Sequence, residues 1–447
     1  MIDHQNPKSM GVLWVQYGPY HSARFTALQR HAGSAKVHAL EFSNQTSTYA
    51  WNRSDIPGDL ITLCPGAVAE ELSFLKVFRQ ARRTFARLKL DVCFLPSYAP
   101  LQPMAALLAA KSLGIRTVMM NESHAGTARA KGVAGTVKRR LVGLFDTALV
   151  GGQPQRRYIA SLGLPEKRIF LGYDAVDNDY FAARSEEIRS QAQEIRAKYR
   201  LPEHYYLSLG RFVAKKNLTT LIRSYRQLLD SRPGSQTHLV MVGAGEEEPK
   251  LRALCQELKL PIYDKKGIGI RDRRSEIGGC GVKGATRRAE GGSEELGVHF
   301  YGFRQIEENP IFYALADAFV LPSLYEEWGL VVNEAMACGL PVVVSETAGC
   351  AEDLLVSDRL VAPPDMSADL LMRLAQFTGQ IRQNGFSFNP KSVQSLANAL
   401  IILDAVPGMR ENMGQASRSI VERFSCANFA CNALRAAQAA LGTEATV

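Results

Sequence analysis

Ala318-Phe-Val-Leu321 runs directly into Pro322-Ser-Leu-Tyr-Glu-Glu-Trp-Gly-Leu-Val-Val-Asn-Glu-Ala-Met-Ala-Cys-Gly-Leu-Pro341, and Val342-Val-Val344 follows at once. An apolar run of strand length, a polar turn, a helix-period segment and a second apolar run read as strand, turn, helix, strand. Two strands joined through a helix imply a right-handed crossover and parallel pairing. The same rhythm extends upstream through Tyr205–Leu209, His238–Val242 and Val298–Phe300.

A second series occupies the first part of the chain: Val12–Val15, Ile61–Leu63, Val92–Leu95, Thr117–Met120, Ala148–Val150 and Arg168–Leu171, most with a helical stretch after them. The charged segment Ala183–Lys198 separates the two series. The fold class is therefore α/β, two Rossmann-like doubly wound parallel-sheet domains facing a cleft, with the boundary between residues 183 and 184. Open sheets of this kind take ligands beyond the carboxyl ends of their strands, which places the site in the cleft. Two segments break the rhythm and read as insertions in the second domain, which runs to about 417. Residues 263–295 are rich in glycine and mixed charge, and 359–383 look helical.

With 447 residues, 46% hydrophobic and 22% charged, the chain has ample material for two cores and is neither a disordered nor a fibrous sequence. A net charge of +9 favours anionic partners without choosing among phosphates, nucleic acid and acidic lipid. None of the eight cysteines forms a C-x-x-C pair, so no zinc cluster or dithiol motif is expected and a reduced, cytoplasmic setting is the simplest. The polar opening and the short run Val12–Val15 do not suit a signal peptide, and no apolar stretch approaches the roughly 18 residues that span a bilayer.

The quoted stretch also carries the chemistry. Glu326 falls in the turn and Glu334 lies eight residues on, so their carboxylates sit roughly 12 Å apart at about 1.5 Å rise per residue, close to the span of a nucleotide sugar from hexose to ribose. Between them, the first-turn amides of Gly329, Leu330 and Val331 lack intrahelical acceptors, and a helix entrance of this kind stabilises an anionic diphosphate. Leu209-Gly-Arg-Phe-Val-Ala-Lys-Lys-Asn217 adds Arg211 and Lys216 at the carboxyl end of a neighbouring strand. Preorganised cations stabilise the charge that grows on a departing phosphate and could replace a metal ion. Paired glutamates alone usually mark only a solvated helix face; the strand-turn-helix context and the two cations give them weight. Asp177-Asn-Asp179 spells a D-x-D, but its residue types suit a turn or helix cap better than a cation site, and no metal is expected.

Together these pieces resemble the retaining, family 4 group 1 glycosyltransferases of the GT-B fold. The resemblance covers most of the second domain: Gly210-Arg211, Lys216, Val242-Gly-Ala-Gly245, His299-Phe-Tyr-Gly302, the E-x7-E pair, and Gly385-Phe-Ser-Phe before Leu396. It implies that Glu326 holds the donor sugar hydroxyls, Glu334 the ribose hydroxyls, and Arg211 with Lys216 the diphosphate of a nucleoside-diphosphate sugar, which is a co-substrate, with no cofactor. In the first domain, Gly18 resembles the family's glycine loop against the donor phosphates, with a single glycine. His124 is the candidate for a cleft histidine near the sugar, with Asn121 or Glu122 as alternatives for that place. The resemblance further implies a C-terminal segment, about 418–447, that crosses back to complete the first domain.

The activity expected from these residues is transfer of a hexosyl group to a hydroxyl acceptor, a glycan or lipid-linked glycan in polysaccharide assembly. Two other readings stay open: a two-Rossmann nucleotide-sugar epimerase, or a catalytically silent protein that binds an anionic ligand. No aromatic-basic interleaved motif argues for nucleic acid. Phe74, Phe78, Phe85 and Leu88 form one stripe of a helix whose other face carries Lys76, Arg79, Arg83 and Arg87. Such a helix packs on its own sheet, meets an anionic membrane surface on the cytoplasmic side, or does both.

Overall fold

The computed structural model describes residues 7–46, 60–97, 101–127, 133–266, 268, 295–356, 372 and 377–442. It contains two sheets. The first has seven strands, β1 (Ser9–Trp14), β2 (Lys36–Glu41), β3 (Ile61–Thr62), β4 (Val92–Pro96), β5 (Arg116–Asn121), β6 (Thr147–Val150) and β7 (Ile169–Leu171), in the order β3-β2-β1-β4-β5-β6-β7. Every pairing in it is parallel. The second has eight: β8 (His204–Leu209), β9 (Thr237–Val242), β10 (Ile262–Asp264), β11 (Val298–Phe300), β12 (Ala318–Leu321), β13 (Val342–Ser345), β14 (Gln380–Arg382) and β15 (Gly385–Phe388), in the order β10-β11-β9-β8-β12-β13-β15-β14. Only β14 runs antiparallel, against β15.

Helices cover both faces of each sheet, which is why central strands such as β1, β6, β9 and β12 are buried along their whole length. On one face of the first sheet, Phe85, Val77 and Ala81 of the helix Phe74–Leu88 pack with the helix Leu101–Ser112. On the other lie the helix Pro19–His31 and the C-terminal helix Cys426–Leu441, whose stripe Ala430, Ala433, Ala436, Ala437 and Ala440 is buried. Small side chains at this spacing let the two helices approach closely, and Thr147 Oγ1 donates to the Ala436 carbonyl at 3.0 Å. The crossing back to the first domain is thus present. The chain passes between domains twice at one place, where Val176 bridges Ser425 and Asn178 Nδ2 donates to the Val421 carbonyl at 2.9 Å.

Several expected boundaries move. The helix Asn178–Ser190 packs on Asn309–Ala314 and Leu330–Ala337 of the second domain, so the division falls near residue 177 and not at 183. Phe181 and Ile188 are buried apolar residues that hold it there, Phe181 just before and Ile188 within the charged segment Ala183–Lys198. Likewise the helix Pro407–Val421 stays with the second domain, Ser417 Oγ donating to the Leu340 carbonyl at 2.6 Å, so the returning segment begins near 422 and not 418. Residues 262–264 and 380–382 are edge strands, which shortens both insertions; the rest of each lies almost entirely outside the described residues. Strand β2 escaped the sequence reading because Lys36-Val-His-Ala-Leu-Glu41 is half polar, yet Glu41 is fully buried, accepting from Thr62 Oγ1 at 2.6 Å and the Tyr17 amide at 3.2 Å.

Candidate active site

The loop after β8 and the turn after β12 are tied to each other, and that tie assembles the site. Asn217, at φ +53°, closes the first loop and donates through Nδ2 to the carbonyls of Pro322, at 3.1 Å, and Pro390, at 2.8 Å. The Leu324 amide donates to the Lys215 carbonyl at 2.8 Å. With the backbones held in this way, Lys216 pairs with Glu326, and Lys215 lies 2.8 Å from Glu327 Oε2 and 3.6 Å from Glu326 Oε1. Ser323 Oγ adds a bond to Glu326 Oε2 at 3.2 Å. Burial alone would lower the Lys215 ammonium, but Glu326 and Glu327 outweigh it and hold its pKa above the usual value; Glu327 is correspondingly held low, Lys215 outweighing its burial. Arg211 is exposed on the same loop, close enough to act on Lys215 electrostatically.

Gly329 sits at φ +110°, a left-handed conformation that costs a glycine little, and starts the helix Leu330–Ala337. Its neighbour Trp328 is buried and donates through Nε1 to Asn333 Oδ1 at 2.9 Å, fixing the turn to the helix it opens. Leu330 and Val331 are half-buried at the entrance. Glu334, in the second turn, is fully buried, and burial pushes its carboxyl up to about 7. Its Oε1 accepts the hydroxyl of Tyr20, which belongs to the first domain, while Asn309 and Tyr313 lie against the same carboxyl.

The first domain reaches the same turn. His124 Nδ1 accepts from the Gly126 amide at 3.2 Å, so the proton resides on Nε2, which donates to the Glu326 carbonyl at 2.9 Å. Both ring nitrogens of His124 are thus engaged within the protein, and the residue fastens the Glu326 turn. Gln155 Nε2 holds the Glu327 carbonyl at 2.7 Å, and the Gln153 amide holds Asp353 Oδ2 at 2.9 Å. Gly18 caps the helix Pro19–His31, its amide donating to His21 Nδ1 at 3.1 Å. A cavity of about 500 Å³ runs along this wall, lined by Trp14, Tyr17, Gly18, Tyr20, Phe42 and Glu122 among others, and Leu330 closes it from the second domain. Gly18 and the helix entrance therefore meet across one hollow.

Glu70 and Glu122 both line this cavity. Behind Glu122, Asp174 is sealed from solvent and meets no N–H or hydroxyl donor; it shares a hydrogen bond with Glu122 instead, and Arg24 Nη2 lies 3.8 Å from its Oδ1. Burial pushes both carboxyls up, Arg24 opposing. The D-x-D segment has a structural use: Asp177 caps the helix Asn178–Ser190, accepting from the Tyr180 amide at 3.0 Å.

Of the nine candidate residues, Gly18 and Leu330 line the cavity, Lys216 pairs with Glu326, Gly329 and Val331 lie at the start of the helix that carries Glu334, His124 bonds the Glu326 carbonyl, and Arg211 is exposed on the loop of Lys216. Sequence reasoning missed Lys215 and Glu327, for which the doublets Lys215-Lys216 and Glu326-Glu327 were the available signal. It also missed Tyr20, Asp174 and Gln155, which carry no local signal because their partners lie in distant parts of the chain.

Comparison with known proteins follows this geometry. Family models described as glycosyl transferases group 1 match residues 191–262 and 273–404. The second domain belongs to the group 1 glycosyltransferases. Among curated relatives of this glycosyltransferase domain, mannosylfructose-phosphate synthase of Agrobacterium fabrum is 31% identical over 43% of the chain and 35% of that protein. O-antigen chain mannosyltransferase B of Escherichia coli is 30% identical over 47% and 46%. The match therefore spans less than half the length of either relative. The Anabaena protein HepE, solved in complex with UDP and glucose, superposes with a TM-score of 0.59 at 16% identity, over 95% of this chain and 97% of that one. That likeness establishes the two-domain GT-B fold for the chain as a whole.

Proposed function

We propose that the protein is a retaining glycosyltransferase that moves a hexosyl group from a nucleoside-diphosphate sugar to a hydroxyl of a glycan or lipid-linked glycan in polysaccharide assembly, without a metal ion. The observation that carries this reading is that Lys216 pairs with Glu326 beside Gly329, where the helix Leu330–Ala337 begins, and that Leu330 of this helix shares one cavity with Gly18. The helix amides with Arg211 and Lys216 would take the diphosphate, Glu326 the sugar hydroxyls and Glu334 the ribose hydroxyls. As the bond from the anomeric carbon to the phosphate oxygen breaks, these cations stabilise the charge left on phosphate. The acceptor oxygen bonds to the same face of that carbon, and its proton passes to the departing phosphate. Closure of the cleft would keep water from competing.

The relatives' names, a mannosyltransferase of O-antigen and a sugar-phosphate synthase, and the UDP bound to HepE support the donor class and argue against the epimerase and silent-binding readings. The helix Phe74–Leu88 supports work at the cytoplasmic face of an anionic membrane: Phe85 is buried in the domain while Lys76, Arg79, Arg83 and Arg87 are exposed. Leu75, 61% exposed, and Leu101, 57% exposed, add apolar contacts at the ends of neighbouring helices. Among the described residues no helix is long and apolar enough to cross a membrane.

A thermal-shift panel of UDP-, GDP- and ADP-sugars, followed by product analysis, tests the proposal. A shift with one donor and an α- or β-linkage matching that donor is expected; shifts with none of them, or inversion at the anomeric carbon, would refute it. Activity that persists with EDTA is expected, and a strict requirement for manganese or magnesium would remove the metal-free part.

A further inference from the structure

Glu334 is fully buried in the wall of the cleft, yet its Oε1 is bonded by the hydroxyl of Tyr20 from the opposite domain. Its other oxygen, Oε2, is shut off from solvent and meets no donor in hydrogen-bond geometry. A carboxylate that grips the vicinal hydroxyls of a ribose must offer its oxygens to them. With Tyr20 in this position, neither oxygen can be reached, so the tyrosine hydroxyl and a ribose exclude each other at Glu334.

Tyr20 is also placed to move. It follows Pro19 in the first turn of its helix and is half-buried, and the Gly18 hinge before it is uncrowded, with only His21 Nδ1 as near as 3.8 Å to where a Cβ would stand. The same side chain walls the 500 Å³ cavity between Gly18 and Leu330. A shift of Tyr20 therefore changes the ribose seat and the cavity together.

We infer that Tyr20 is a positioning residue that stands in for the ribose at Glu334, so that the nucleotide must displace its hydroxyl to bind and, in doing so, reshapes the cavity on the first-domain wall. This rests on the donor reading given above. It goes beyond it by assigning the first domain a part in donor affinity and by linking donor entry to the acceptor side of the cleft.

Calorimetric titration of the full chain and of Tyr20→Phe with UDP and GDP, and with their 2′,3′-dideoxy analogues, tests it. Removing the competing hydroxyl frees the binding-competent arrangement, so the variant should bind the ribonucleotide on the order of tenfold more tightly. The dideoxy analogue, which has no hydroxyls to place at Glu334, should bind wild type and variant alike. An unchanged or weaker ribonucleotide affinity in Tyr20→Phe overturns the inference and leaves the donor reading standing. An equal gain with the dideoxy analogue also overturns it, because a generally loosened cleft would then explain both. Failure of wild type and variant to bind either nucleotide overturns the donor reading and this inference with it. Tyr20→Leu, with the same expected gain, guards against a peculiarity of the phenylalanine ring.

Discussion

On the second-domain wall of the cleft, Lys215, Lys216, Glu326 and Glu327 form a lattice of ion pairs at the ends of two strands. The first-domain wall is largely aromatic where it lines the cavity, with Glu70 and Glu122 as its acidic residues. Trp14 stacks on His21 with centroids 4.7 Å apart, and burial, reinforced by Arg24, lowers the His21 pKa to about 3, so the imidazole carries no charge. Burial pushes the carboxyls of Glu122 and Asp174 up. An ion-paired wall facing a largely aromatic one suits a reaction in which charge develops at the diphosphate and an acceptor needs shape and a few hydrogen-bonding groups.

The sharpest way to break this comparison is to remove one ion. Glu326→Ala should lower transfer by at least 10²-fold, because the sugar hydroxyls lose their partner and Lys216 loses its orientation. Circular dichroism and melting temperature should stay near wild type, as the carboxylate faces the cleft. Full activity in the variant would show that the ionic wall does not hold the sugar.

That wall was legible in the sequence, and the reason is local. Glu326, Gly329 and Glu334 lie within one strand-turn-helix unit, and Arg211 and Lys216 within another, so short spacings report the arrangement. Strands with continuous apolar character, such as His238–Val242, were equally plain. The first-domain wall was not, because its members meet through the fold: Tyr20 touches a residue 314 positions away, and Asp174 lies in the interdomain loop while its neighbour Glu122 follows β5. His124 shows the same limit from the other side. Its position near the cleft was readable, but the bond to a backbone carbonyl 202 residues away, which ties it to the Glu326 turn, was not.

The first domain carries a basic cluster away from the cavity lining, on the exposed face of the helix Phe74–Leu88. Replacing Arg79, Arg83 and Arg87 with glutamine should weaken binding to phosphatidylglycerol vesicles by roughly two orders of magnitude, at about 1 kcal/mol for each arginine near an anionic surface. Co-sedimentation at low and high salt measures this. Nucleotide affinity should not change, since none of these residues lines the cavity, and indifference of sedimentation to all three would confine the basic face to a solvated role.

Glu334 sharpens the comparison by pH. Burial raises its carboxyl to about 7 in the folded protein, from an ordinary value near 4.5. A group of this kind favours the folded state least when charged, so its contribution to stability declines as pH rises through the window from about 4.5 to about 7. Nucleotide binding has the opposite sign, because the ionised carboxylate is the better acceptor for ribose hydroxyls. Affinity should rise by about tenfold between pH 6 and pH 8 as the group ionises, and Glu334→Gln should flatten the profile. A pH-independent affinity in the wild type would separate Glu334 from the nucleotide.

Two glycines, one in each kind of setting, carry the smallest expected effects. Gly151 follows β6 where the domains meet, and a Cβ there would collide with the Asp174 carboxylate and with the Trp328 ring, at 2.8 Å from Cε3. Neither neighbour can retreat, since Trp328 is pinned by Asn333 and Asp174 is fully buried. Overpacking of this kind costs about 1–3 kcal/mol, or a few degrees in the melting temperature at about 2–4 °C per kcal/mol for a domain of this size. Gly18 has open space around it, so Gly18→Ala should leave the melting temperature within about a degree while weakening the nucleotide, if the added methyl stands where the phosphate would come. Scanning calorimetry with and without UDP or GDP separates the two. Gly151→Ala should lower the midpoint in both conditions, whereas Gly18→Ala should lose only the ligand-induced rise. A Gly18→Ala protein that keeps the full rise would place the diphosphate against the helix entrance and its cations alone, and would leave the first-domain wall no part in holding it.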